Sequence, residues 1–147
     1  MTGVYRIFGS EMSPYSLKVR SYFRYKNIPY EWLLRGANSE EYQKYARLPI
    51  VPTLATPDGE GLQDSTPIIE GLEAQVSTPS IYPDDPTLKF LSQLIEEFGD
   101  EWGNKWMFHY RWKREVDQVS AAQRIVADMM PGAPDADKSA MVDQVQG

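Results

Sequence analysis

Cysteine is missing from all 147 residues, and histidine occurs once. The first absence excludes a disulfide framework, a thiolate zinc site and a protein thiol nucleophile together; the second excludes a multi-histidine metal centre. No apolar run approaches the roughly 20 residues that a membrane-spanning helix needs. Met1 to Tyr5 lacks the charged-then-apolar layout of a signal peptide, so a soluble, cytoplasmic protein is expected. Basic charge is also short: fifteen Lys and Arg stand against twenty-one Asp and Glu, for a net charge of −6, and no basic stripe runs along any segment. Nucleic-acid binding by phosphate neutralisation is therefore not expected. What is present, 41% hydrophobic and 12% aromatic residues, fits a globular chain. Its length suits one ordinary domain, or a small domain with an incomplete second one.

The first eighty residues alternate short β-like runs with helical ones, without any internal repeat. Val4 to Phe8 reads as a strand ended by Gly9. From Pro14 to Lys26 the residues Tyr15, Val19, Tyr22 and Phe23 fall at i, i+4, i+7 and i+8, one face of a helix. Pro14 suits the first helical position and Ser13 the N-cap. Asn27-Ile28-Pro29 stops that helix, Tyr30 to Leu34 is a second strand, and Ser39 to Ala46 a short second helix. Val51 to Ala55 predicts a strand entered through an X-Pro bond, then an Asp58-Gly59 hairpin and a brief strand around Leu62-Gln63. Asp64-Ser65-Thr66-Pro67 opens a third helix whose buried face would be Ile68, Ile69, Leu72 and Val76. A crossover followed by an antiparallel hairpin predicts a mixed sheet with helices on both faces.

Ser77 to Pro86 is rich in Ser, Thr, Pro and Asp, the composition of a linker. Asp85 or Pro86 then starts a long helix carrying Leu88, Leu91, Ile95, Phe98, Trp102 and Trp106 near helical spacing. Another helix is predicted from about Glu115 to Met130, interrupted by Pro131-Gly132-Ala133-Pro134. The fold class is α/β: a βαβαββα domain over residues 1–78, followed by an all-α region over 86–147. Some sixty residues are thin for an independent helical bundle. That region is expected to be incomplete, or to borrow core from a partner subunit.

The element order with Pro52 heading the third strand is thioredoxin-like, and Ser13-Pro14-Tyr15-Ser16 occupies the place of the Cys-Pro-Tyr-Cys loop of glutaredoxins with both sulfurs missing. Leu48-Pro49-Ile50-Val51-Pro52-Thr53-Leu54 and Gln63-Asp64-Ser65-Thr66-Pro67-Ile68-Ile69 complete a pattern that resembles the glutathione S-transferase family over residues 4 to about 112. A serine hydroxyl stays protonated near neutrality, so thiol–disulfide exchange by this chain alone is excluded. Glutathione transfer demands something else, because the nucleophile is the co-substrate's own thiol. The site must lower a thiol pKa of roughly 8.5 toward 7, and each unit corresponds to about 1.4 kcal/mol of thiolate stabilisation.

The resemblance implies that Ser13 points its hydroxyl at that sulfur, helped by backbone N–H groups and the helix dipole. Read from the residues alone, Ser13 is an N-cap bonded to the N–H of Ser16 or Leu17. Ser10 and Ser16 are rival hydroxyls, Ser16 the more structural of the two, and Tyr5 is a poor match to tyrosine-type members of the family. The resemblance also implies a cis Val51-Pro52 peptide, which turns the Val51 N–H and C=O toward the cysteinyl backbone of glutathione. The alternative is a trans proline beginning an edge strand. Ser65 with the N–H groups of Thr66 and its neighbours would hold the γ-glutamyl carboxylate, and Asp64 its amine; as plain sequence the two are a helix cap. The usual Asn-Pro-x-Gly-Lys lead-in to the proline is replaced by Leu48-Pro49-Ile50. The glycyl carboxylate therefore needs another cation, for which Arg47 and Lys44 are the candidates, each otherwise a solvated helix residue.

The aromatic run Trp102, Trp106, Phe108, Tyr110 and Trp112 is expected to be core or inter-domain packing, with some rings lining the electrophile pocket, and His109 a hydrogen-bonded structural histidine. The resulting expectation is an enzyme of the glutathione S-transferase type, and because family members commonly form homodimers the resemblance implies a homodimer. Glutathione is its co-substrate, a small apolar electrophile its second substrate, and no metal takes part. The rival is a non-catalytic module of the same fold used for protein interaction or dimerisation.

Overall fold

The computed structural model describes residues 3–146; the outer ends of the two expected domains, and the first residues of the segment read for a signal peptide, lie outside them. The N-terminal part runs β1 (Tyr5–Gly9), α1 (Pro14–Tyr25), β2 (Tyr30–Leu34), α2 (Ser39–Gln43), β3 (Thr53–Ala55), β4 (Gly61–Gln63), α3 (Ser65–Gln75), the predicted order. The four strands form one mixed sheet in the order β2-β1-β3-β4. β1 and β2 are parallel, while β3 is antiparallel to both β1 and β4. This is a thioredoxin-like domain, followed by a helical part. The third strand is shorter than predicted, because a proline lacks the N–H that a ladder position requires and so Val51-Pro52 stays outside it. The second helix likewise ends at Gln43 rather than Ala46.

Successive strand residues point to opposite sheet faces, which divides the core in two. Ile7 and Leu54 meet Val19, Tyr22 and Phe23 of α1 and Ile68, Ile69 and Leu72 of α3 on one face. Phe8 and Ala55 meet Tyr42 of α2 on the other, backed by Tyr45 and Val51. Tyr5 packs edge-on against Phe23 with ring centroids 5.4 Å apart, so it belongs to the core. A buried polar network closes the base of the domain. Lys26, fully enclosed, pairs with Glu73 at 2.5 Å and donates to the Val76 carbonyl at 2.7 Å. Glu73 also accepts from Tyr22 Oη and from the Ile81 N–H. Burial works against the Glu73 charge, but these donors together hold its pKa below the ordinary value.

The helical part comprises α4 (Pro86–Phe98), a π-helical segment (Gly99–Gly103), α5 (Asn104–Lys113), α6 (Glu115–Met129) and α7 (Asp135–Gln146). Asp85 caps α4 by accepting from the N–H groups of Thr87 and Leu88, both at 2.9 Å, with Pro86 in the first turn. The expected long helix past Trp106 forms, helical without a break from Pro86 to Lys113, with the π-helical segment inside it. A wide turn takes one residue more than an α-turn and rotates everything after it by about 100°, so the apolar periodicity no longer follows one line. The expected aromatic core is therefore not formed: Trp102, Trp106, Phe108 and Tyr110 are at least half exposed, and α4, the π segment and α5 contain no buried residue. His109 is exposed and stacks edge-on against Tyr110, without a hydrogen bond among the described residues. The short core of this part is Ala121, Ala122 and Val126 of α6, which packs between α5 and α7. None of the described helices is long and apolar enough to cross a membrane.

Candidate functional site

The strand register gathers the candidate residues at one end of the sheet. Phe8 faces Thr53 across the β1–β3 pair, and Thr53 faces Gln63 across β3–β4. Continuing by one and two residues sets Gly9 and Ser10 beside Pro52 and Val51, and these beside Asp64 and Ser65. On the other side Gly9 pairs with Leu34, and the Arg35 N–H donates to the Gly9 carbonyl at 2.9 Å. The N-termini of α1 and α3 open at this same end.

Ser13 caps α1. Its φ of −95° and ψ of 115° are extended, and its Oγ accepts from the Ser16 N–H at 3.2 Å. Accepting uses a lone pair and leaves the hydroxyl proton free, so the cap and a donor role are compatible in one side chain. The rival hydroxyls are otherwise engaged. Ser10 Oγ donates to Asp128 Oδ2 at 2.7 Å, and Ser16 is fully buried with its Oγ accepting from the Ser10 N–H. The Val51–Pro52 peptide is cis, and among the described residues neither the Val51 N–H nor its C=O has a hydrogen-bond partner. Gln63 staples the loop leading to it: its Oε1 accepts from the N–H groups of Arg47 and Leu48 at 2.7 and 2.9 Å, while its Nε2 donates to Leu48 O and Thr53 Oγ1.

Ser13 and Val51 line a common cleft of about 570 Å³ between the sheet end and the helical part. Its far wall is Asn104, Met107, Phe108, Arg111, Ile125, Asp128 and Met129. Asp64 and Ser65 lie outside that lining, one strand further along the same edge. Asp64 has φ +74°, an uncommon and costly conformation for a residue with a Cβ. The Ser65 hydroxyl is buried with no partner among the described residues. The Oδ1 of Asn104 is the same.

Polar contacts hold the far wall in place. Lys18 of α1 bridges Glu96 and Asp100, the latter at 2.6 Å, and Thr66 Oγ1 reaches Glu96 at 2.9 Å. Tyr15 Oη donates to the Asp100 carbonyl at 2.7 Å. Burial opposes the Lys18 charge, yet its two carboxylates raise its pKa; for Glu96 burial is likewise outweighed by Lys18 and Thr66, and its pKa falls. Asp128 takes the Glu11 N–H at 2.6 Å as well as Ser10, and Arg111 Nη2 donates to Met12 O at 2.7 Å. At the cleft mouth a Cβ on Gly36 would collide with the carbonyls of Asp128 and Met129, so only glycine allows this approach.

Arg47 and Lys44 do not line the cleft. The cations that do are Arg35 and Arg111, neither of which was singled out from sequence. Arg35 follows β2 directly and could have been found by counting along the parallel register; Arg111 depends on the π turn, which no local pattern announced.

The glutathione S-transferase N-terminal domain family matches residues 7–80, half of the chain. No curated protein of similar sequence was found. Among solved structures, a glutathione S-transferase of Rhodospirillum rubrum is similar with a TM-score of 0.61 and 20% identity, over 96% of this chain and 60% of that one. One from Methylobacterium radiotolerans, in complex with glutathione sulfonate, gives 0.55 and 19% over 96% and 63%. A maleylacetoacetate isomerase from Anaeromyxobacter dehalogenans, with glutathione bound in its active site, gives 0.57 and 20% over 97% and 68%. At such identities the likeness is one of fold. The chain spans about 60% of the length of the first two.

Proposed function

Since the chain belongs to the glutathione S-transferase family, we propose that it binds glutathione at the sheet end and activates its thiol for attack on an electrophile held against the helical wall. The observation that carries this reading is that the Ser13 hydroxyl, which accepts from Ser16 but donates to nothing among the described residues, and the Val51 backbone, without a partner among them, share one cleft at the start of α1. Ser13 donates to the thiolate, and the α1 N-terminus adds positive potential. Val51 pairs with the cysteinyl backbone as a one-residue strand addition. Ser65, whose buried hydroxyl lacks a partner among the described residues, takes the γ-glutamyl carboxylate at the α3 N-terminus, and Asp64 the amine. The strained backbone of Asp64 supports a binding role, because such conformations persist where function requires them. Arg35 replaces Arg47 and Lys44 as the cation for the glycyl carboxylate.

In a substitution, the sulfur–carbon bond forms as the bond from carbon to its leaving group breaks. The leaving group departs as an anion and the thiol proton goes to solvent. Glutathione is thus a co-substrate, and the active form is proposed to be a homodimer acting in the cytoplasm. One observation favours the rival, a non-catalytic module of this fold: the exposed apolar face of α4 and α5 is suited to a protein partner.

Retention on immobilised glutathione, followed by turnover of 1-chloro-2,4-dinitrobenzene, separates the readings. Retention with turnover is expected, and Ser13→Ala should lower kcat by about 10- to 1,000-fold, the range for losing one charge-stabilising donor. Retention without turnover supports the module. An unchanged rate in Ser13→Ala removes Ser13 from the mechanism.

A further inference from the structure

The charged side chains lining the cleft are Arg35, Arg111 and Asp128, two guanidinium groups to one carboxylate in a chain of net charge −6. Elsewhere the ion-paired cations are ones whose side chains are largely shielded: Arg6 with Glu41, Lys18 with Glu96 and Asp100, Arg20 with Glu11, Lys26 with Glu73. Neither cleft arginine forms an ion pair among the described residues. Asp128 is already bonded to Ser10 and Glu11 and does not reach them. Arg35 sits on the sheet side, where glutathione is assigned. Arg111 stands on the opposite wall among Met107, Phe108, Ile125 and Met129 and is not among the residues assigned to glutathione above.

We propose that Arg111 selects an electrophile bearing a carboxylate, whose apolar reacting end lies against Met107, Phe108, Ile125 and Met129 while the carboxylate docks on the guanidinium. The inference rests on the glutathione reading above and narrows its second substrate from a purely apolar molecule to an amphiphilic acid.

The geometry supports it in three ways. Arg111 spends one N–H on the Met12 carbonyl, which fixes the side chain, and keeps others for a two-pronged carboxylate contact. Its charge is partly desolvated without a counter-ion, and burial alone shifts its pKa downward, so an anion arriving there is stabilised more than at a solvated lysine. The surrounding wall is apolar, with the guanidinium lying 5.5 Å from the centre of the Phe108 ring. With 4-chloro-3-nitrobenzoate, for example, sulfur bonds to the ring carbon, chloride leaves with the electron pair of the carbon–chlorine bond, the thiol proton passes to solvent, and the carboxylate is unchanged.

The test is binding of two preformed conjugates, S-(4-carboxy-2-nitrophenyl)glutathione and its carboxamide, so it does not depend on turnover; glutathione itself is measured alongside. The acid should bind about 10- to 100-fold more tightly than the amide, the range for a hydrogen bond between charged groups. Arg111→Gln should bring that ratio close to one, and Arg111→Lys should retain part of it. Arg111→Met, which fills the same space without charge, reads the same ratio should the glutamine variant fail to fold. Equal affinity of the native chain for the two conjugates overturns the inference and, with glutathione still bound, leaves the glutathione reading standing. A ratio that survives in Arg111→Gln also overturns it. Failure to bind glutathione or either conjugate overturns both.

Discussion

Between β1 and α3, Ile7, Phe8, Phe23, Leu54 and Ile68 are wholly enclosed, whereas from Pro86 to Lys113 no residue is buried and Ile95 remains 70% exposed. The two halves are similarly rich in apolar side chains and differ in what those side chains meet. A sheet offers two faces, and α1, α3 and α2 cover both. The helices after the linker have one another and little else, so the join to the first half is made by hydrogen bonds and ion pairs from Lys18, Thr66, Tyr15, Ser10 and Arg111. The cleft therefore has a wall that folds by hydrophobic burial and a wall positioned by polar contacts, and the two should respond differently to mutation and pH.

The largest expected effect separates the halves by stability. Phe23→Ala empties the core and should cost about 3–5 kcal/mol, while Ile95→Ser, on the open face, should change stability by less than about 0.5 kcal/mol. Urea denaturation measures both, and a serine at 95 as damaging as an alanine at 23 would break the contrast.

Next comes acidity. Glu96 has a lowered pKa in the folded chain, so its contribution is present above the unfolded value of about 4.3 and is lost as pH falls through the folded value. Lys18 has a raised pKa, so its contribution is present below about 10.4 and fades only as pH rises through its folded value. The seam should hold from about pH 4.3 to about pH 10.4 and weaken in acid, where the sheet domain also loses the Glu73 contribution but keeps its apolar core. Hydrogen exchange at pH 6 and 3.5 should show residues 86–129 losing protection first, and Lys18→Ala should produce the same pattern at pH 6. Uniform loss across both halves would contradict a polar seam.

The smallest effect sharpens the assignment of the rigid wall. Asp64→Gly removes the cost of a positive φ and should raise stability by about 1 kcal/mol, while weakening glutathione binding by about tenfold. A stabilised variant with native affinity would make Asp64 a structural residue only.

Much of the rigid half was legible because local signals agreed there. Pro14 after Ser13, the i, i+4, i+7, i+8 spacing of Tyr15 to Phe23, and Asp58-Gly59 each name one conformation. Ser13 and Val51 entered as candidates through the family resemblance of their motifs, since by position alone they read as a helix cap and the entry to an edge strand. The second half resisted because helical spacing says which side chains share a face and not what covers it, so Trp102 to Tyr110 read as core. Arg35 entered the cleft by register and Arg111 by the π turn, both long-range facts. The glycine pair 99 and 103 gave no sign that a wide turn lay between them.

The central claim, that the Ser13 hydroxyl stabilises a borrowed thiolate, is tested most directly by titrating the ultraviolet thiolate absorbance of bound glutathione. The account predicts a pKa near 7 in the native chain, restored toward 8.5 in Ser13→Ala and kept low in Ser13→Thr, whereas loss of the helix cap alone, about 1 kcal/mol of stability, leaves the thiol unmoved. A bound thiol that titrates like free glutathione, or one indifferent to Ser13→Ala, would contradict it.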